Sequence, residues 1–253
     1  MLLLVADTSG KDGFVGLVRV GLGASPDEVE VIEEVPLAGG TFSAQLVPQI
    51  SGLLAKHGFR KTDLDAFIVV SGPGSFTGLR VGLAAIKALA EILQKPIVPV
   101  SLLEVIAAYF LLVAAGEGLI PELTTFRYAV ALDAGRKEAF VGQYKVVLEG
   151  KTRRSSECEA ERLLDIESLA GLIDAGDVQW IATPDAAISA FLTEKLSAPK
   201  RHSISKWTNR PRSVEVATIG WQKLKAGETV APEQLEANYI RRSDAEIFAK
   251  PTL

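Results

Sequence analysis

SGPGSFTGLR, residues 71–80, follows the apolar run Ala66–Val70 and leads into a helical segment with almost no polar surface. Gly72-Pro73-Gly74 makes a rigid turn, with backbone freedom on either side of the proline. Ser75 and Thr77 are both good helix N-caps. Gly78 and Gly82 stand one turn apart inside the helix, where each glycine costs about 1 kcal/mol relative to alanine. A helix that accepts this cost twice lets another backbone come close.

On a helical wheel over Thr77–Leu93, one face carries Leu79, Leu83, Ile86, Ala90 and Leu93. The adjoining face carries Gly78, Val81, Gly82, Ala85, Ala88, Leu89 and Ile92. Only Arg80, Lys87 and Glu91 are charged, and they share a narrow stripe. The apolar arc exceeds the roughly 100° that a helix needs to lie on its own sheet. Two readings stay open: the surplus covers a neighbouring helix of the same chain, or it meets another subunit. The candidate neighbour, Phe42–Leu54, places Phe42, Leu46, Ile50, Leu53 and Leu54 at helical spacing, capped by Thr41 or Ser43. It carries surplus apolar positions of its own, Val47 and Leu54. Pro48 predicts a late start or a bend.

The first part of the chain reads β-β-β-α-β-α-β-α. Its strands are Leu2–Val5, Phe14–Val20, Glu28–Val35, Ala66–Val70 and Ile97–Val100, and residues 102–115 form its last helix. The remainder repeats this order less clearly. Arg127–Leu132, Ala139–Val147 and Gln179–Ala182 read as strands; Leu163–Ala175, Ala186–Leu196 and Val214–Ala226 read as helices. An internal echo supports duplication: Asp7 precedes Phe14-Val15-Gly16 by the same spacing as Asp133 precedes Phe140-Val141-Gly142. Two copies of a three-stranded hairpin sheet with crossover helices make the actin/Hsp70/sugar-kinase architecture. The expected fold is therefore α/β, with duplicated RNase H-like lobes over residues 1–116 and 117–253, joined near Gly116–Thr125.

Bulk properties bound the function. The chain has 253 residues, 48% hydrophobic and 23% charged, with a net charge of −4. No long basic run is present, which argues against gripping nucleic acid through its own field. The single cysteine, Cys158, excludes an intrachain disulfide and suits a reducing compartment. The N-terminal apolar run stops at Asp7, too short for a signal-peptide core. Leu102–Ala115 is interrupted by Glu104 and falls short of a bilayer span. The expectation is a cytoplasmic protein that contacts no membrane.

The chemistry candidates are few. Asp7-Thr8-Ser9-Gly10 ends a strand as a phosphate- or metal-binding turn would, although Asp7 can equally cap a turn through its own backbone. Asp133-Ala134-Gly135, followed by Arg136 and Lys137, offers the same two readings. The segment Trp180–Asp185 lacks the Gly-Gly turn of a purine site, and Pro184 removes a donor there. The only histidines, His57 and His202, lie far apart; His57 suits the end of a helix dipole. Cys158 stands among glutamates, which raises a thiol pKa. SGPGSFTG fits neither a nucleophile elbow nor a P-loop. No catalytic or metal residue is assigned. Arg201, Lys206, Arg210 and Arg212 cluster near Trp207, and Arg241 and Arg242 follow Tyr239. They form either a solvated face or an RNA contact.

SGPGSFTGLR also resembles the signature of TsaB proteins. LLLVADTSG at the start, SLLEVIAA, ALDAGRKEAFVG and NYIRRSDAE match the same family in order, so the resemblance runs nearly end to end. One departure is Phe42, where such proteins often open the first helix with His. The resemblance implies a non-catalytic scaffold subunit of the tRNA N6-threonylcarbamoyladenosine transferase complex. It implies pairing with a look-alike TsaD catalytic subunit through first-lobe helices, with an ATPase subunit (TsaE-like) joining the pair. tRNA would be met only through the complex. The expected interface residues are Leu46, Val47, Ile50, Leu54, Gly78, Val81, Gly82, Ala85, Ala88 and Leu89, with Gly82→Leu or Ala85→Arg breaking pairing while sparing the fold. Alone, the chain is expected to form a homodimer through the same patch. No cofactor is required by this chain; Asp7, Thr8 and Ser9 are at most a vestigial phosphate site, and a nucleotide at the subunit interface is left open. The competing class is an active nucleotide- or metal-dependent enzyme of the same fold, a small kinase, ATPase or metallopeptidase. The C-terminal NYIRRSDAE segment is expected either to contribute to RNA contacts or to fold back on the first lobe as a strand or arm.

Overall fold

The computed structural model describes residues 1–21, 28–116, 125–149, 153–198, 200, 204–206 and 211–241. It divides into two units: Met1–Leu102 together with the chain from Pro211 onward, and Leu103–Arg210.

In the first unit, β1 (Leu2–Asp7), β2 (Gly13–Val20) and β3 (Val29–Leu37) form an antiparallel meander. Helix α1 (Phe42–Lys56) leads to β4 (Ala66–Gly72), and α2 (Phe76–Leu93) leads to β5 (Ile97–Ser101). β4 pairs parallel with β1, and β5 parallel with β4, giving the order β3-β2-β1-β4-β5. β1 and β4 are buried along their whole length, as near-continuous apolar runs in a parallel centre should be. One sheet face, with Leu4, Ala6, Val15, Leu17, Phe67 and Val69, packs under α1 and α2. The buried positions of α1 are the expected Phe42, Leu46, Ile50, Leu53 and Leu54. Pro48 lies inside α1, which runs on from Phe42, so the expected late start does not occur.

The second unit opens with α3 (Leu102–Gly116) and continues with β6 (Arg127–Gly135), β7 (Glu138–Glu149), β8 (Arg153–Asp165), α4 (Ile166–Asp174), β9 (Trp180–Thr183), α5 (Ala186–Lys195) and β10 (Ile204–Lys206). Its sheet order is β10-β9-β6-β7-β8, the first unit's order with each strand replaced by its counterpart. The sequence echo is therefore a structural repeat. In β1/β2, Asp7 pairs with Phe14; in β6/β7, Leu132 pairs with Phe140, because an irregularity at Asp133/Gly135 shifts the register by one. α4 and α5 cover one face through Leu169, Leu172, Ile188 and Leu192. α3 belongs to this unit as well: Tyr128 Oη donates to the Ala107 carbonyl at 3.2 Å, and the Phe110 and Tyr128 rings lie 5.0 Å apart.

Helix α6 (Ser213–Lys225) then returns to the first unit. Gly220 lets it settle on β4, where an added Cβ would lie 2.5 Å from the Ile68 side chain. Ser213 N–H donates to Glu34 Oε2 at 2.7 Å. A division of the chain at residue 116 is thus incorrect. The last helix of the first repeat serves the second unit, and α6 serves the first, because each buries its apolar stripe there. A second correction concerns β8: Leu163–Asp165 end a strand, and α4 starts only at Ile166. Residues 230–241 fold back on the first unit: Val230 bridges Ile97 on the β5 edge, and Asn238 N–H donates to the Ser71 carbonyl at 2.7 Å, so the described part of NYIRRSDAE, residues 238–241, lies back on the first unit, while residues 242–246 lie outside the described residues. Among the described residues no helix is long and apolar enough to cross a membrane.

Gly220→Ala should overpack this contact and destabilise the fold by about 1–3 kcal/mol. Ile68→Val in the same chain should recover part of the loss. Urea unfolding of the single and double variants measures both; equal stability of Gly220→Ala and the parent would contradict the packing.

Candidate functional site

The glycine-rich turn is built around the end of β1. Gly72, at φ +130°, is joined to Pro73 by a cis peptide bond. Ser75 caps α2, its hydroxyl accepting from Gly78 N–H at 3.3 Å. Ser75 N–H in turn donates to the Ser9 carbonyl at 2.7 Å. Thr8 fits against the helix: its hydroxyl donates to the Gly78 carbonyl at 2.8 Å. A Cβ at Gly78 would strike the Thr8 carbonyl, one at Gly82 the Thr8 hydroxyl, and one at Gly74 the Ser9 side chain at 2.8 Å. The expected close approach is real, and the approaching backbone is the β1–β2 turn of this same chain. Gly78 and Gly82 are buried there.

This seating also occupies the residues considered for phosphate. Asp7, Thr8 and Ser9 are 4%, 1% and 2% exposed. Asp7 Oδ1 accepts Ser9 N–H at 2.7 Å, the local turn-capping role open to an aspartate at a strand end. The Ser9 hydroxyl is buried, with no hydrogen-bond partner among the described residues. The counterpart in the second unit is exposed: Asp133 Oδ1 accepts Gly135 N–H at 2.8 Å, and Asp133 N–H donates to Asp185 Oδ2 at 2.7 Å. Gly135, Arg136 and Lys137 all take positive φ, so the glycine turn is a left-handed run.

The other candidates find structural partners. His57 follows α1, with Nε2 2.7 Å from Glu33 Oε2, while Lys56 Nζ lies 2.7 Å from Glu33 Oε1. Hydrogen bonds from Lys56, then His57, hold the Glu33 carboxyl below its ordinary range. Cys158 lies exposed on β8, its thiol raised first by desolvation and then by Glu161 and Glu104. Among the described residues no group of three or more His, Cys, Asp or Glu could hold a metal ion. Arg201, His202, Trp207, Arg210 and Arg242 lie outside the described residues, as does the side chain of Lys206; Arg212 is exposed ahead of α6.

The outer face of α1 and α2 remains. Of the ten expected interface residues, Leu46, Ile50 and Leu54 are 1–2% exposed in the core and are not available to a partner. Gly78 and Gly82 are likewise excluded, by Thr8. Val47 is 45% exposed and Ala88 is exposed, while Val81, Ala85 and Leu89 are half-buried. Ile92, 77% exposed, was not among the expected ten, although the wheel puts it in line with Val81, Ala85 and Ala88. Around them lie Ala44, Pro48, Gly52, Ala55 and Ala84, all exposed and all small or cyclic. No charged residue occurs in α1 before Lys56, and the α2 charges are confined to Arg80, Lys87 and Glu91. At the helix N-termini this face borders a cleft of about 480 Å³ between Gly10–Asp12, Ala38–Gly40 and the first turns of both helices.

Comparison with known proteins gives a consistent picture. Residues 36–248 match the family model described as TsaD, tRNA N6-adenosine threonylcarbamoyltransferase. The Bacillus subtilis tRNA threonylcarbamoyladenosine biosynthesis protein TsaB is 30% identical over 97% of this chain and 96% of its own. Among solved structures, YeaZ from Pseudomonas aeruginosa superposes with a TM-score of 0.67 at 23% identity, covering 94% of this chain and 99% of that one. A Listeria monocytogenes protein described as an N-acetylmannosamine kinase shares the fold alone, with a TM-score of 0.53 at 12% identity over 89% of this chain and 100% of its own.

Gly82→Ala drives a methyl group into Thr8 and should cost about 1–3 kcal/mol of stability. Thr8→Ala, which removes the opposing atoms, should make Gly82→Ala less costly than it is in the parent. A double-mutant cycle by thermal or urea unfolding reads the coupling; strict additivity would show that Thr8 does not set the helix position.

Proposed function

The chain belongs to the TsaB proteins of the TsaD-type family, and from that premise we propose that it is a non-catalytic subunit in tRNA N6-threonylcarbamoyladenosine biosynthesis. In this reading it works in the cytoplasm by pairing with a TsaD-type catalytic subunit through the outer face of α1 and α2. The observation that carries the proposal is the uncharged, small-residue surface of these two adjacent helices, with Ile92 77% exposed and Val47 45% exposed along it. Isolated exposed apolar residues are ordinary; a continuous face of them is the mark of an association surface. The family model that matches this chain is that of the catalytic transferase. A partner with the same fold presents the corresponding pair of helices, so a pseudo-twofold pairing forms a four-helix bundle. Small residues let the helices approach closely, and burying a side chain such as Ile92 contributes about 1.5–3 kcal/mol.

The non-catalytic part is supported by how the β1–β2 turn is used. Asp7 and Thr8 are spent on the turn and on α2. The chemistry on tRNA then belongs to the partner, with a TsaE-like ATPase subunit joining the pair and tRNA contacted through the assembled complex. When the partner is absent the same face would pair two copies of the chain, so the two pairings would exclude each other.

Ile92→Glu or Ala85→Arg should weaken pairing with the TsaD-type subunit at least tenfold, the cost of burying an unpaired charge. Ile92 is 77% exposed and Ala85 half-buried, so Ile92→Glu should keep the melting temperature of the free chain within a few degrees of the parent, with Ala85→Arg costing somewhat more. Size-exclusion chromatography of mixed subunits measures pairing, and the modified nucleoside in cells depleted of their own TsaB measures function. Undiminished co-elution of both variants would overturn the surface assignment.

A further inference from the structure

We infer that the C-terminal strap, through Tyr239, is a positioning element for the α2 docking face, an inference that rests on the proposed pairing through that face. The first two turns of α2 are intrinsically weak, because Gly78 and Gly82 each lower helix propensity. They are also where the exposed row begins, with Thr77 and then Val81. From within, this end is held by Thr8. From outside it is held by the returning chain.

The outside hold has several fastenings, all within the first unit. Val230 and Ile97 exchange backbone hydrogen bonds, the Val230 N–H donating at 2.8 Å and the Ile97 N–H at 3.4 Å. Leu235 is 1% exposed in the core beneath α1 and α2. Asn238 N–H then donates to the Ser71 carbonyl at 2.7 Å, directly before the glycine turn. The Tyr239 ring stacks on Phe76, the first residue of α2, with centroids 4.9 Å apart. The Arg80 guanidinium sits 5.9 Å from both ring centroids, and its Nε donates to Tyr239 Oη at 3.2 Å. Phe76 and Arg80 are one helical turn apart on the flank of the row that carries Thr77 and Val81.

Tyr239 therefore clamps the first turn of α2 along the edge of the docking face without itself being part of the row. Loss of the clamp lets the first turn fray, and a frayed turn presents Thr77 and Val81 in many orientations instead of one. The partner must then order that turn on binding, which lowers affinity. The strap and the docking face are one mechanical unit, although more than 150 residues of sequence separate them (Arg80 and Tyr239 are 159 apart).

The test compares Tyr239→Ala, Tyr239→Phe and the face variant Ile92→Glu in the full chain. Affinity for the TsaD-type subunit is measured by titration, and amide exchange of residues 78–82 is measured in the free chain. Tyr239→Ala should speed exchange at these amides and weaken pairing by about tenfold each, since local opening is set by the contacts that resist it. Tyr239→Phe, which keeps the stack and loses only the Arg80 hydrogen bond, should stay within about threefold of the parent in both. Parent-like pairing by Tyr239→Ala while Ile92→Glu fails to pair would overturn the strap and leave the docking face standing. Weaker pairing by Tyr239→Ala with unchanged exchange would also overturn it, since Tyr239 would then be touching the partner itself. Full pairing by Ile92→Glu removes the docking face and the strap's role together.

Discussion

The seating of α2 on the β1–β2 turn is the contact on which the rest of the first unit depends. Thr8 presses its carbonyl and hydroxyl onto a helix that has glycine at both points of contact. That contact decides which way α2 faces. With Gly78 and Gly82 turned inward, Leu79, Leu83, Ile86 and Ala90 complete the buried side. Val81, Ala85, Ala88 and Ile92 are left on the outside. A larger residue at either glycine would push the helix off the sheet and would rotate this outer row along with it. The glycines thus set the outer row indirectly, by fixing what lies on their far side.

The two units are copies that have diverged in what each strand end does. The sheets share one strand order. Yet Asp7 is buried as a turn cap, whereas Asp133, its counterpart, is exposed beside Asp185. The one-residue shift in β6/β7 pairing lies at this place and moves the second turn relative to the first. Divergence extends to the helices: α3 leaves the first sheet for the second, and α6 crosses back. The chain passes twice between its units, α3 joining the second through Phe110 and Ala107 and α6 joining the first through its small residues. Gly220 on Ile68 and Gly16 on Ser213 are the two close contacts that admit α6 to the first sheet.

Most of the first unit was legible in the sequence because its signals are local. β1, β4 and β5 are short apolar runs, and α1 and α2 have clear helical periodicity. The fold class followed from element order together with the Asp7 and Asp133 echo. Where legibility failed, the deciding contact was distant. β8 has no apolar residue between Arg153 and Cys158, so that stretch carries no strand signal; pairing of twelve of its thirteen residues with β7 is what makes it one. The destination of α6 depends on Ile68 and Glu34, far away in sequence. Glycine spacing in α2 announced a close neighbour but could not say whether it was Thr8 or another subunit. Leu46, Ile50 and Leu54 read as both core and interface in the sequence, because a wheel gives direction and no depth; the structure places them in the core. Ile92 was legible and was passed over, although it shares a sector with Ala88.

Charge placement sets the α1/α2 face apart from the sheet edges. The edges of the two sheets are guarded in different ways. On β3, Glu30 pairs with Arg19, and Glu33 with Lys56 and His57. The β5 edge is bridged by Val230. β8 presents Glu157, Glu159 and Glu161, with Glu159 held by Arg127. A second chain adding a strand at these edges would have to desolvate carboxylates, which burial without full compensation penalises by several kcal/mol. The α1/α2 face asks for no such desolvation, since its exposed row has no charge to strip of water. Arg80, on the α2 flank beside the start of that row, already lies over the Phe76 and Tyr239 rings. On the α1/α2 row, apolar burial by a partner would therefore carry little ionic cost.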